Sequence, residues 1–78
     1  MANVIIYSTP TCVYCKMAKA YFMSNNVKYT EKNVATDAEA REEMIKKTGQ
    51  LGVPVIDVDG KIVIGFDKEE LSLLLNIK

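Results

Sequence analysis

The 78-residue chain has no histidine, no tryptophan and only two cysteines. Without histidine or a third cysteine, a zinc site of the usual nitrogen and sulfur ligands would need a second chain to complete it. Net charge is missing too, since ten basic side chains cancel ten acidic ones. No block of like charge stands out, so nothing electrostatic points to nucleic acid or to an anionic membrane. The apolar runs are far too short to span a bilayer, and Met1-Ala2-Asn3 leads into a strand without a basic or signal-like stretch. The expected location is the cytoplasm, where a persistent structural disulfide is unusual. Repeats, linkers and low-complexity tracts are also absent, which leaves one domain over residues 1–78 with room for one compact core.

What is present is a pair of thiols three positions apart, Cys12-Val13-Tyr14-Cys15. Residues i and i+3 of a helix sit on one face with Cβ atoms roughly 5–6 Å apart. That is close to the Cα separation of roughly 4.4–6.8 Å that a disulfide tolerates. The pair follows a strand-like run and stands at a predicted helix start, whose unpaired N–H groups and partial positive charge favour thiolate over thiol. Cys12, at the cap, is the candidate nucleophile. Cys15, one turn further in, should be more buried and act as the resolving thiol. Lys16 lies close enough to add positive potential at Cys12, while Lys19 reads as a solvated helix residue. Tyr14 should shield the cysteines and offer its hydroxyl to sulfur or ligand. The four methionines read as core filler.

The pattern along the chain supplies a frame for this pair. Val4-Ile5-Ile6-Tyr7 reads as a strand covered on both faces, broken by Ser8-Thr9-Pro10-Thr11. A helix is predicted from Val13 to about Ser24, with Val13, Met17, Ala20 and Tyr21 at helical spacing and Asn25-Asn26 at its end. Val27 to Val34 alternates imperfectly and suits a charged edge strand, parallel to the first through a right-handed crossover. Thr36-Asp37-Ala38-Glu39 has the form of a capping box for a second helix that stops at Gly49. Asp59-Gly60 joins the strands Pro54–Val58 and Lys61–Ile64 in a two-residue hairpin. Asp67 caps a last helix with Leu71, Leu74 and Leu75 on its sheet-facing side. The predicted order is β-α-β-α-β-β-α, an α/β arrangement with a four-stranded mixed sheet flanked by three helices.

Thr11-Cys12-Val13-Tyr14-Cys15, Arg41-Glu42-Glu43-Met44-Ile45, Gly52-Val53-Pro54 and Gly65-Phe66-Asp67 stand in the order and places that make the whole chain resemble the thioredoxin superfamily. The resemblance is closest to the small dithiol glutaredoxins. It implies a thioredoxin-like fold and a thiol–disulfide oxidoreductase with Cys12 attacking, Cys15 resolving and Thr11 and Lys16 in support. It also implies that Pro54 is a cis-proline, where sequence alone allows an ordinary trans proline at a strand start. The Val53 backbone would then pair with a peptide or with glutathione. Gly65, Phe66 and Asp67 would receive the γ-glutamyl end of glutathione, and Tyr14 would border the same groove.

Against the family pattern, Val13 replaces a proline, Gly52 a threonine and Thr9 a lysine, while Ile64 stands for a glycine and Lys68 for an aspartate. The change at Val13 bears on helix stability and redox potential, and each of the other four weakens the case for tight glutathione binding. The implied activity is reduction of protein disulfides and glutathione mixed disulfides by a monomer. It has no bound cofactor and no metal, and uses glutathione as co-substrate, with NADPH entering through a reductase. A related branch, the electron donors of ribonucleotide reductase, is served by thioredoxin reductase and shares the Gly-Phe pair, although it continues with arginine and proline rather than Asp67-Lys68. A dimer that binds an iron–sulfur cluster or a metal is the non-enzyme alternative.

Overall fold

The structure, a computed structural model, describes residues 3–50 and 52–77. Met1 and Ala2, on which the expectation about the chain start partly rests, lie outside them. The elements are β1 (Val4–Ser8), α1 (Val13–Ser24), β2 (Thr30–Asn33), α2 (Ala38–Thr48), β3 (Val55–Val58), β4 (Lys61–Ile64) and α3 (Lys68–Leu75). They form one sheet in the order β2-β1-β3-β4. β1 runs parallel to β2 and antiparallel to β3, and β3 pairs antiparallel with β4. This is the four-stranded mixed sheet with three helices that the sequence pattern predicts. Among the described residues no helix is long and apolar enough to cross a membrane.

β1 and β3 occupy the centre because their side chains are apolar on both faces, as a strand with a layer on each side requires. On one face Val4, Ile6, Ile56 and Val58 pack with Ala18 and Phe22 of α1 and Leu71 of α3. On the other, Tyr7 and Val55 pack with Ala40 and Met44 of α2. α1 and α3 therefore share one face, and α2 covers the other.

Four expectations change. The stripe that α1 turns inward is Cys15, Ala18 and Phe22, with Tyr21 half-buried beside it, whereas Val13 is 66% and Met17 45% exposed. Apolar residues lie on more than one side of this helix, so spacing admits two faces, and docking on β1 selects the one carrying Cys15. Met23 is also exposed, which leaves Met44 as the methionine that fills the described core. β2 is half the predicted length. The Val27 N–H donates to Phe22 O at 2.8 Å in the turn that ends α1, so Val27 and Tyr29 pack on the core outside the ladder. The cap of α2 is Asp37 rather than Thr36, its carboxylate accepting from Ala40 N–H at 3.1 Å.

The turns behave as their chemistry dictates. Asp59 and Gly60 both take positive φ, 52° and 89°, the backbone of a type I′ hairpin. α2 is pinned to the sheet by a polar cluster: Tyr7 hydroxyl donates to Glu43, Lys47 donates to Tyr7 and to the largely buried Asp57 at 2.8 and 2.7 Å, and Lys32 donates to Glu43 at 3.0 Å. Every polar head there has a partner, which a half-buried polar layer needs.

Candidate active site

The sheet register brings three loops to one end of the molecule. Tyr7 pairs with Val55, and Val55 with Ile64. The chain leaving β1 towards the cysteines, the chain entering β3 through Val53-Pro54, and the chain leaving β4 through Gly65-Phe66-Asp67 therefore all emerge at the same edge. A hydrogen bond from Gly65 N–H to Pro54 O at 2.8 Å ties two of them together. The Val53–Pro54 peptide is cis, as the resemblance implies, and Gly65 has φ 81°, a region a glycine enters freely. Among the described residues neither the N–H nor the C=O of Val53 takes part in a backbone hydrogen bond.

Cys12 is the N-cap of α1, with extended backbone and its sulfur accepting from Cys15 N–H at 3.1 Å. The sulfur thus takes the place that a serine or aspartate oxygen usually fills at a helix start. No acidic residue stands in the first turn of α1 to oppose negative charge there. Both thiols are free, Cys12 partly exposed and Cys15 buried. Burial first, then the hydrogen bond with Cys12, push the Cys15 thiol up to about 11, against a smaller opposing pull from the Thr9 backbone and from Lys19. The two sulfurs differ in access, and burial makes Cys15 hold its proton.

A groove of about 560 Å³ runs alongside, lined by Tyr14, Ile64, Gly65, Phe66, Asp67, Lys68 and Glu69. Tyr14 is 62% exposed, and among the described residues its hydroxyl has no protein partner. It is a wall of the groove. Asp67 caps α3 by accepting from Glu70 N–H at 3.1 Å, and Phe66 stands edge-on to Tyr21 with ring centroids 5.8 Å apart.

A family model described as glutaredoxin matches residues 4–63. The chain belongs to the glutaredoxin family. It is 50% identical over 70 residues to a glutaredoxin-like 8.6 kDa protein of the rubredoxin operon of Clostridium pasteurianum, covering 90% of this chain and 93% of that one. Over 67 residues it is 45% identical to glutaredoxin 3 of Escherichia coli K12, covering 86% and 81%. A crystallised thioredoxin-like protein superposes with a TM-score of 0.92 at 36% identity over the full length of both chains. This glutaredoxin is a thiol–disulfide oxidoreductase, and Cys12 and Cys15 are its only cysteines.

The two residues assigned a supporting role flank the dithiol, one before the cap of α1 and one in its first turn. Thr11 is exposed in the turn before the cap, where the Cys12 N–H donates to Thr9 O at 3.3 Å. Lys16 points to solvent and, among the described residues, forms no ion pair. A second lysine, Lys19, is paired with Glu31 at 2.7 Å, and its charge acts on Cys15. Lys19 stands four residues after Cys15, a spacing legible in the sequence; Glu31 comes from β2, and nothing in the sequence pairs the two.

Proposed function

We propose that this glutaredoxin reduces protein disulfides and mixed disulfides of proteins with glutathione, and that glutathione restores its dithiol. The observation that supports this reading best is the groove running from Tyr14, beside the dithiol, to the Gly65-Phe66-Asp67 turn. Its far end has the N–H groups of a helix start for a carboxylate and the Asp67 carboxylate for an α-amino group. Its near end is Tyr14, two residues from the partly exposed Cys12, and the unengaged backbone of Val53 is suited to pair with an extended peptide or with glutathione.

In the forward reaction the Cys12 thiolate attacks a substrate disulfide, forming a bond to one sulfur and expelling the other as thiolate. For a protein disulfide, Cys15 then attacks Cys12, releasing the second substrate thiol and leaving the Cys12–Cys15 disulfide. For a glutathione mixed disulfide, a second glutathione can take the place of Cys15. Two glutathione molecules return the pair to the dithiol as they become glutathione disulfide, which a flavoenzyme using NADPH reduces. No bound cofactor enters any step, and a monomer in the reducing cytoplasm suffices.

Direct reduction by thioredoxin reductase, as in an electron donor to ribonucleotide reductase, is the competing reading. The apolar rim of Val13 and Ile64, 66% and 54% exposed, favours it, because such a rim suits a protein surface better than a charged tripeptide. The deciding experiment supplies the oxidised protein with NADPH and either glutathione plus its reductase or thioredoxin reductase. Turnover with glutathione is expected. Cys12→Ser should abolish it, while Cys15→Ser should spare removal of glutathione from proteins and impair reduction of protein disulfides. Turnover with thioredoxin reductase alone would sink the proposal.

A further inference from the structure

The resolving step asks a difficult thing of Cys15. It must become a thiolate although it is fully buried and its proton is held tightly. One cation is placed to help. Lys19 lies one helical turn beyond Cys15, at the i, i+4 spacing that brings side chains onto the same face. Its ammonium is fixed in position: Glu31 of β2 accepts from it at 2.7 Å, and the same carboxylate oxygen accepts from the Ser8 hydroxyl at 2.7 Å. Ser8 is the last residue of β1 and only 1% exposed. A chain of polar contacts thus links the sheet end to the helix face that carries Cys15. As a source of stability an ion pair with this much solvent contact contributes little. As a means of holding a long flexible side chain on the helix face that carries Cys15, it is well placed.

We propose that Lys19, held by Glu31 and Ser8, stabilises the Cys15 thiolate during resolution of the mixed disulfide on Cys12. The inference rests on the dithiol reading of Cys12 and Cys15. In the step, the Cys15 proton passes to solvent and the resulting thiolate attacks Cys12 Sγ. A Cys12–Cys15 bond forms as the bond from Cys12 to the substrate sulfur breaks. The substrate sulfur leaves with the electron pair and takes a proton from solvent. The dithiol has lost two electrons and the substrate disulfide has gained them. Lys19 keeps its proton throughout: its hydrogen bond to Glu31 raises its proton affinity, and the bonds from Lys19 and then Ser8 hold the Glu31 carboxyl below the usual range. The charged and titratable groups around the pair are Cys12 and Lys19 on α1, Glu31 on β2, and the Tyr29 phenol, whose field acts on Lys19. Lys19 is a positioning residue. It touches no substrate and acts through Cys15.

The test is a stopped-flow reaction of the reduced protein with one equivalent of an aryl disulfide whose thiolate is coloured. Attack by Cys12 releases the first coloured thiolate, and resolution by Cys15 releases the second. Lys19→Met should leave the first phase unchanged, slow the second about three- to tenfold at neutral pH, and move its pH midpoint upward, since tenfold in thiolate population corresponds to about one pKa unit. Lys19→Arg should restore the second phase. An unchanged second phase in Lys19→Met, or equal slowing of both phases, would overturn the inference. Release of a single coloured thiolate by the unsubstituted protein would instead remove the dithiol reading on which it rests.

Discussion

If burial governs the proton affinity of Cys15, alkylation should find this thiol slower than a free cysteine by orders of magnitude. A thiol at about 11 lies four units above neutrality, so about one Cys15 in ten thousand is thiolate at pH 7. An unperturbed cysteine near 8.5 is roughly 3% thiolate at that pH, a difference of about 300-fold before access is considered. Cys15 is also 0% exposed, so the observed ratio should be larger. The experiment is a timed reaction with iodoacetamide between pH 7 and 9, read by peptide mass spectrometry. Cys12 should be labelled first, and the rate at Cys15 should rise about tenfold per pH unit. In Cys12→Ser the hydrogen bond and charge of the partner thiol are gone but burial, the larger cause, remains. Cys15 should stay at least about tenfold slower than a free cysteine at pH 7. Labelling of Cys15 at the rate of a free cysteine, or at a rate independent of pH, would refute the argument.

Glu43→Gln tests the polar cluster that pins α2. Hydrogen bonds from Tyr7 and Lys32 hold this carboxyl down at about 2, against an ordinary 4.5, so its contribution is complete above the ordinary carboxylate range and is lost as pH falls towards 2. With 38% of the side chain exposed, solvent screening limits the effect to about 1 kcal/mol at pH 7; urea denaturation should show that gap closing by pH 2, and a gap constant with pH would refute it. Asp67→Asn keeps the cap of α3 and removes the charge, so thermal stability should hold while the KM for glutathione rises several-fold; an unchanged KM would take Asp67 out of the proposed glutathione site. Phe22→Ala empties a fully buried position between α1 and the sheet and should destabilise by about 3–5 kcal/mol in denaturant titrations. A loss below about 1 kcal/mol would mean that the helix docks otherwise.

The placement of Cys12 as cap and, in the proposed mechanism, as nucleophile has an energetic side. A side-chain oxygen at that position contributes about 1 kcal/mol to a helix, and here the contact is an N–H to sulfur at 3.1 Å. The N–H that completes the helix start is also the one that would support negative charge on the attacking sulfur. When Cys12 enters a disulfide the acceptor that this N–H meets changes, so the reduced and oxidised forms differ in how well the first turn of α1 is satisfied.

Much of the fold is written locally. Val4–Tyr7 alone specifies a doubly covered strand, Asp59-Gly60 the hairpin, Asp67 a cap and Gly49 a left-handed helix end. The spacing of Cys12 and Cys15 marks the candidate site before any contact is known. All of these are short-range signals, carried by φ preferences, one-turn hydrogen bonds and side-chain period, so a linear reading recovers them. What only the tertiary structure decided depends on partners distant in the chain. The face α1 turns inward follows from docking against Ile6 and Leu71, and it put Cys15 inside while leaving Val13 and Met17 at the surface. The meeting of the cysteine turn with Val53-Pro54 and Gly65-Phe66-Asp67 follows from the sheet register. The link from Ser8 through Glu31 to Lys19 needs β1, β2 and α1 assembled. Burial, and with it the high proton affinity of Cys15, is a property of the assembled core. The sequence alone identifies the two thiols; packing makes them unequal, because desolvation acts on a charge only once the chain has closed around it.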